Sequence, residues 1–445
     1  VTDLEGDRVS LWTGRHLRTT IGVFALAFMF AFEYLAVATI MPDVARALDG
    51  LPLYAVAFAA PMATSVVAFT LVGPWSDRRG PRPAVDVGVV VFAVGLLVAG
   101  LAPDMRVFLL GRAVQGFGMG VLGVAMYVVV AQAYPESLRA RAFTVLTGAW
   151  VLPALVGPAI AASVADLVGW RWVFLGVPLV IAVAWWLVHD APSRASGEGE
   201  RRRGDLAWSV VAAGGLLLVS VAGQRHLPLW PVLLVLAGAV VGVAGPRLLP
   251  AGTWTGRRGL PSVIGTRGLV GAAFAGAEAY VPLLLTLERG LSLTAAGWAL
   301  TTGATTWFVG SWLAAHWRLL ADEVRRVRIG VVALTLGIAL FATVAMAPVP
   351  LAVPLVGWGL AGAGIGMAFS TLSVLTLDEA PEEEAGRASS ALQLNDALVQ
   401  ALALAGGSVV FAGFATAAPV TGATVLVVAA AVLGAAALLP AARLR

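Results

Sequence analysis

Neither cysteine nor lysine occurs in the 445 residues, so all 29 basic side chains are arginine. The absence of cysteine excludes disulfides, thiolate metal centres and cysteine nucleophiles. Charged residues make up only 12% of the chain, whereas soluble domains carry about a quarter. That scarcity argues against a single globular core, a disordered chain and a nucleic-acid binder. The four histidines, His16, His189, His226 and His316, are scattered without metal-ligand spacing, and no Walker motif or long soluble segment is present. A metal site, a catalytic domain and single-chain ATP-driven transport are therefore not expected, and no cofactor is implied. The chain is instead 59% hydrophobic, with a mean hydropathy of +0.89. It reads as an all-α polytopic membrane protein embedded in a lipid bilayer.

A hydrocarbon core of about 30 Å takes about 20 helical residues to cross, and alternating strand patterns are absent. We read spans at 19–42, 53–75, 84–102, 106–131, 139–164, 170–188, 206–223, 229–247, 262–285, 293–316, 327–346, 349–376, 386–412 and 417–440. The first is too long and too acidic for a cleaved signal and is expected to stay in the protein. With the N-terminus in the cytoplasm, 23 of the 29 arginines fall on the cytoplasmic side, Arg267 counted among them. Arg46, Arg106, Arg171, Arg225 and Arg289 fall outside, and Arg112 lies within a span. This skew obeys the positive-inside rule and puts both termini in the cytoplasm. The basic pI near 10.1 is thus a sign of topology. Charge does not decide between 12 and 14 spans, because dropping 206–223 and 229–247 together leaves every other orientation unchanged. At about 1.5 Å rise per residue each gives roughly 27 Å, enough to cross, and we read fourteen.

The sequence also repeats itself. At an offset of 246, Gly111, Gly116, Gly118 and Gly120 fall on Gly357, Gly362, Gly364 and Gly366. Without a gap, Pro135, Glu136, Arg141 and Ala142 then fall on Pro381, Glu382, Arg387 and Ala388. The copies are separated by an even number of spans, so they enter the membrane in the same direction. Parallel six-helix halves place a transporter's substrate site at their interface. The expected organisation is a six-helix bundle over 1–188, a loop with two linker helices over 189–261, and a second six-helix bundle over 262–445. Arg112 has Trp358 as its counterpart, so the buried charge is present in one half only.

Short motifs point the same way. Residues 73–83, Gly-Pro-Trp-Ser-Asp-Arg-Arg-Gly-Pro-Arg-Pro, closely resemble the loop signature of the major facilitator superfamily, with Pro81 in place of a basic residue. Arg112, Gln115, Gly116 and Gly118 resemble its fourth-span motif. Glu33-Tyr-Leu-Ala-Val-Ala-Thr-Ile-Met-Pro is similar to the first-span motif of the 14-span drug:proton antiporters, with Glu for the usual Asp. Gly148, Gly157 and Pro158 are similar to the antiporter motif, although Ala161 and Ala162 stand where a glycine pair is usual. Gly169-Trp-Arg-Trp-Val-Phe also looks like the 14-span group.

The resemblance implies a monomeric, multi-pass protein of the bacterial inner membrane that exchanges protons for a small-molecule substrate, by alternating access and without enzymatic chemistry. Multidrug efflux is the first expectation; the alternatives are export of a specific lipid, sugar or metabolite, as in some relatives, and then a non-transporting membrane protein. The resemblance also implies that the signature loop latches the two halves on the cytoplasmic side, through Gly73, Asp77, Arg78, Gly80 and Arg82. Their partners would be the start of the span near 386 and the acids Asp378, Glu379, Glu382, Glu383 and Glu384. The alternative is that these arginines only set topology and the acids form a solvated loop.

Charges within a membrane are costly and are functional candidates by default. From helical rise, Glu33 lies about 13 Å, Arg112 about 9 Å and Glu278 about 10 Å from the outer surface, in one layer. Loss of water favours a neutral acid, whereas a nearby guanidinium favours a carboxylate. A carboxyl group subject to both can couple to a proton or a cation as its surroundings change. Glu33 is the expected proton exchanger, Arg112 its tuner, and Glu278 a participant or an attractor of cations. A permanent Glu33–Arg112 ion pair and a merely hydrogen-bonded Glu278 are the structural alternatives. Tyr34, Trp150, Tyr280 and Trp307 are candidates for lining a drug cavity, with lipid-facing positions as the alternative. Asp396, with Gln393 and Asn395, is either a second polar station or a hydrated helix end.

Overall fold

The computed structural model describes residues 11–135, 138, 141–142, 145, 148–149, 151–194, 205–222, 229–316, 322–346, 348–379 and 385–444. Among these residues eleven helices are long and apolar enough to cross a membrane. Shorter apolar helices cover Val156–Val168 and Leu206–Val219. The first helices are α1 (Gly14–Ala47), α2 (Val56–Arg79), α3 (Arg82–Gly100), α4 (Met105–Ala133), α5 (Val151–Val168), α6 (Arg171–Leu175) and α7 (Val177–Val188). Next comes a peripheral hairpin, α8 (Asp205–Ala222) and α9 (Trp230–Leu248). It is followed by α10 (Leu260–Glu278), α11 (Val281–Leu287), α12 (Leu293–His316), α13 (Glu323–Phe341), α14 (Ala352–Asp378), α15 (Ala385–Ala412), α16 (Pro419–Ala436) and α17 (Leu438–Ala441).

Two of the spans read from the sequence are each one apolar crossing, Leu260–Leu287 and Arg171–Val188, with a break inside. The single span at 262–285 is two helices, α10 and α11, broken at Ala279 and Tyr280. Pro282 has no N–H to give to the Glu278 carbonyl, so α10 ends on Glu278. Likewise 170–188 is divided at Gly176, with Pro178 in the first turn of α7.

Helix packing repeats along the chain. In the first set α4 packs on α2 and α3, and α1 packs on α5 and α7. In the second set α14 packs on α12 and α13, and α10 packs on α15 and α16. The repeated glycines are the reason these contacts are close. Gly111 abuts the α3 backbone at Ala99, and its counterpart Gly357 abuts the α13 backbone at Phe341. Gly116 rests on Pro61 of α2, and Gly362 on Gly303 of α12. The two sets meet where α5 packs on α12 and where α2 packs on α15. The α8–α9 hairpin covers the second of these seams, with Ala212, Leu216 and Val241 packed among Ala63, Val66, Leu398 and Ala401.

A methyl group at Gly116 would stand 2.1 Å from the Pro61 Cα, where only backbone can yield. The expected cost of Gly116→Ala is about 1–3 kcal/mol, as for other overpacked cores. Gly123→Ala, whose methyl meets only the edge of Phe69 at 3.9 Å, should be neutral. Thermal unfolding of the purified variants checks the contrast, and equal melting of the two would refute this reading of the packing.

Candidate functional site

Glu33 and Arg112 are brought together in the interior. They are 2% and 4% exposed and form an ion pair through Arg112 Nη1 and Glu33 Oε1. The same Nη1 donates to the Gln115 side-chain oxygen, one turn along α4. Arg112 Nε donates to the Ala57 carbonyl at 3.2 Å. That last bond has a local cause. In a regular helix Ala57 O would receive the N–H of residue 61, which is proline and has none. Arg112 supplies the missing donor, so the guanidinium is held by α1, α2 and its own helix at once.

Glu278 is also buried, at 8% exposed, on the last residue of α10. The Tyr34 hydroxyl is its side-chain hydrogen-bond partner. Glu33, Tyr34, Arg112, Gln115 and Glu278 line one chamber, together with Phe58, Met62, Met119 and Leu404. Its wall therefore draws on α1, α2 and α4 from the first set and on α10 and α15 from the second. The enclosed space is about 20 Å³, which holds about one water molecule. A drug-sized ligand takes a pocket of about 300 Å³ or more, so admitting one requires the two sets of helices to move apart.

Beside the chamber, at the end carrying the short helical turn Leu51–Leu53, aromatic side chains from both sets close together. The rings of Tyr54, Tyr280 and Phe411 stand 5.3–5.9 Å apart and are almost fully buried. The Tyr54 hydroxyl donates to the Ala279 carbonyl, at the α10–α11 break, at 2.8 Å. Thr294 of α12 donates to Asp166 of α5 at 2.6 Å at the same end of the molecule. Gly297 makes room for the Pro158 carbonyl, so the Gly157–Pro158 turn lies at the α5–α12 seam. A Cβ added at Gly148 would meet no atom within 4 Å among the described residues.

Other candidates stand apart from the chamber. Trp307 packs edge-on against Phe274 and Phe369, whereas Tyr280 belongs to the aromatic closure. Trp150, Glu382, Glu383 and Glu384 lie outside the described residues. Gly73, Asp77 and Arg78 lie in the last two turns of α2. Gly80 follows with φ +77° and is backed closely by Ser193. The Arg82 backbone N–H donates to the Ser193 hydroxyl at 3.2 Å, and its guanidinium meets the His189 ring. In this conformation Arg82 is thus engaged beyond the end of α7.

Gln115 was picked out only as part of the fourth-span motif, whereas sequence reasoning missed Tyr54 and, above all, Arg267. Counted among the cytoplasmic arginines, Arg267 instead lies two turns inside α10. Its Nε donates to Asp396 Oδ2 of α15 at 2.9 Å. Asp396 is 8% exposed and paired, which sets aside the hydrated helix end. Its phase could have revealed Arg267: at 100° per residue it shares a helix face with Glu278, eleven residues on.

A polytopic helical protein with ionisable side chains enclosed between two repeated sets of helices is, by class, a membrane transporter rather than an enzyme. Residues 23–404 match the Major Facilitator Superfamily, and the chain belongs to that family. It is similar to a protein described as a probable multidrug-efflux transporter of Mycobacterium tuberculosis, 28% identical over 405 residues, covering 85% of this chain and 83% of that one. It is also similar to the multidrug resistance protein Stp of the same organism, 26% identical over 412 residues, covering 86% and 73%. Two solved structures share the fold. A POT family transporter matches with a TM-score of 0.70 at 16% identity, covering 95% and 96%. A bacterial homologue of the human lysosomal transporter Spinster, inward-facing and unoccupied, matches at 0.68 and 14% identity, covering 95% of both chains.

Proposed function

We propose that this protein is a proton-coupled exporter of lipophilic, cationic small molecules, working by alternating access as a monomer in the bacterial inner membrane. Its fourteen spans form two six-helix bundles, 1–188 and 262–445, with α8 and α9 as linker helices. Both termini are cytoplasmic. The observation that carries this reading is the enclosure of Glu33, Arg112 and Glu278 in one chamber walled by both repeats. Two acids beside one guanidinium leave a negative excess when both are ionised, and either a proton or an organic cation relieves it. Efflux is supported by the similarity to multidrug transporters. On this topology the Tyr54–Tyr280–Phe411 cluster is the outer gate, closed here. Tyr34 and the chamber's Phe58, Met62 and Met119 would meet the apolar part of the substrate, with Tyr280 and Trp307 reached once the gate or the C-terminal bundle shifts.

Proteoliposomes carrying a pH gradient test this reading, with ethidium and tetraphenylphosphonium as lipophilic cations and a neutral compound beside them. Uphill cation movement that a proton uncoupler abolishes is expected. Movement indifferent to the uncoupler would reject proton coupling.

The signature loop acts as a latch in the outward-facing state. There Asp77 faces the positive N-terminal end of α15, and Arg78 and Arg82 face the acids at 378–384. Arg82 leaves His189 to do so. Asp77→Arg should reduce transport to background at normal membrane levels of protein, and wild-type transport by that variant would remove the latch.

A further inference from the structure

We propose that Asp396, held by Arg267, is a second proton-exchange site, which passes protons between the Glu278 chamber and the cytoplasm. This rests on the proton-coupled reading above. The pair is built into the second bundle away from the chamber. Arg267 Nε donates to Asp396 Oδ2 at 2.9 Å, another of its nitrogens meets the Ser373 hydroxyl, and its guanidinium lies 3.8 Å over the Phe369 ring. Three helices, α10, α14 and α15, thus converge on one buried charge pair.

A pair kept only for packing would have its acceptors satisfied, since an unpaired buried acceptor is costly. Here Asp396 Oδ1 is buried with no donor among the described residues, and so is Oδ1 of the adjacent Asn395. The Asn395 amide nitrogen is spent on the Ile264 carbonyl at 2.8 Å, in a space that Gly268 leaves open. A proton on Asp396 turns its unserved oxygen from an acceptor into a donor. The carboxyl group then cycles between acid and carboxylate while Arg267 stays charged. Among the charged and titratable groups of the described residues, Arg267 faces Asp396 from α10, and Tyr127 of α4 is near enough to feel the Arg267 charge. On the α2 and α8 sides α15 meets Ala63, Val66, Ala212 and Leu216.

Helical phase connects this site with the chamber. Arg267 and Glu278 are eleven residues apart on α10, about 16 Å along the axis and about 20° around it. On α15, Asp396, Gln400 and Leu404 follow at four-residue spacing, and Leu404 is in the chamber wall. Gln400 lies over Gly271, where a Cβ would come within 2.8 Å of its amide nitrogen. The column from Asp396 through Gln400 to Glu278 is therefore polar at its ends and its middle.

The test uses the full chain in liposomes with ethidium as probe. Asp396→Asn should lower uphill ethidium accumulation by at least about tenfold, a modest loss for a positioned proton carrier. Downhill ethidium exchange should stay within about twofold, and Asp396→Glu should restore uphill accumulation. A pH-difference infrared spectrum should show a titrating carboxylic-acid band that Asp396→Asn removes and Glu33→Gln keeps. The double variant R267Q/D396N, which leaves no lone charge, should fold, exchange ethidium downhill and remain uncoupled. Uphill transport by Asp396→Asn at the native level overturns the proposal, as does an infrared band unchanged by it. Loss of exchange together with coupling in the double variant also overturns it, because the pair is then structural. If Glu33→Gln and Glu278→Gln stay coupled while Asp396→Asn does not, the chamber reading fails and Asp396 is a proton-exchange site without the link to Glu278.

Discussion

Glu33→Gln is expected to abolish uphill, pH-gradient-driven export while leaving downhill exchange in place. The amide matches the acid in shape and still offers Arg112 an acceptor, so the guanidinium keeps a hydrogen bond and the helices keep their packing. What disappears is the carboxyl group to which proton exchange is assigned in the proposal. In the native chamber Glu33 is 2% exposed and pairs with Arg112, so a change of protonation there alters the charge seen by any cation beside Tyr34 and Glu278. Losing a positioned proton carrier costs about 100-fold or more in comparable proton-transfer roles. Uphill accumulation of ethidium in proteoliposomes should therefore fall to the level seen with uncoupler. Exchange of ethidium against ethidium, which needs no net proton movement, should continue. Native-level accumulation by this variant refutes the assignment.

The second large effect concerns Arg112 and separates a coupling pair from a structural one. Arg112→Ala leaves the Glu33 carboxyl and the Ala57 carbonyl without their donor. Breaking one side of a buried pair costs about 3–5 kcal/mol, and thermal unfolding in detergent should show it. Replacing both members by methionine removes the unpaired Glu33 carboxyl and returns part of that stability. The remainder stays lost because Pro61 still cannot serve the Ala57 carbonyl. If the pair exists to carry protons, E33M/R112M stays inactive in uphill transport however well it folds. Were the pair only a fastening, transport would recover in step with melting temperature, and coupling through Glu33 would be excluded.

Much of this was legible from residue patterns alone, because membrane helices announce themselves by length and because a repeat needs no structure to be seen. The 246-residue offset that matches Gly116 with Gly362 also matches the contacts these glycines make, one on α2 and the other on α12. Rise per residue alone placed Glu33, Arg112 and Glu278 in one layer, and all three line one chamber. What escaped were the features decided by a partner on another helix. Pro282 was visible, yet the α10–α11 break also frees the Ala279 carbonyl for the Tyr54 hydroxyl, 225 residues away. Arg267 was assigned to topology because it is close to a run of loop arginines. Its role depends on Asp396, and phase along one helix does not name the residue facing it.

Proton release on ligand binding tests the central claim most directly. Purified protein in weakly buffered detergent is titrated with ethidium while pH is recorded. Native protein should release protons in proportion to ethidium bound, and a Glu33→Gln, Glu278→Gln double variant, which leaves Arg112 with no acid beside it, should lose both dye binding and proton release. Saturable ethidium binding by the native protein with no proton released would contradict the competition between cation and proton in this chamber.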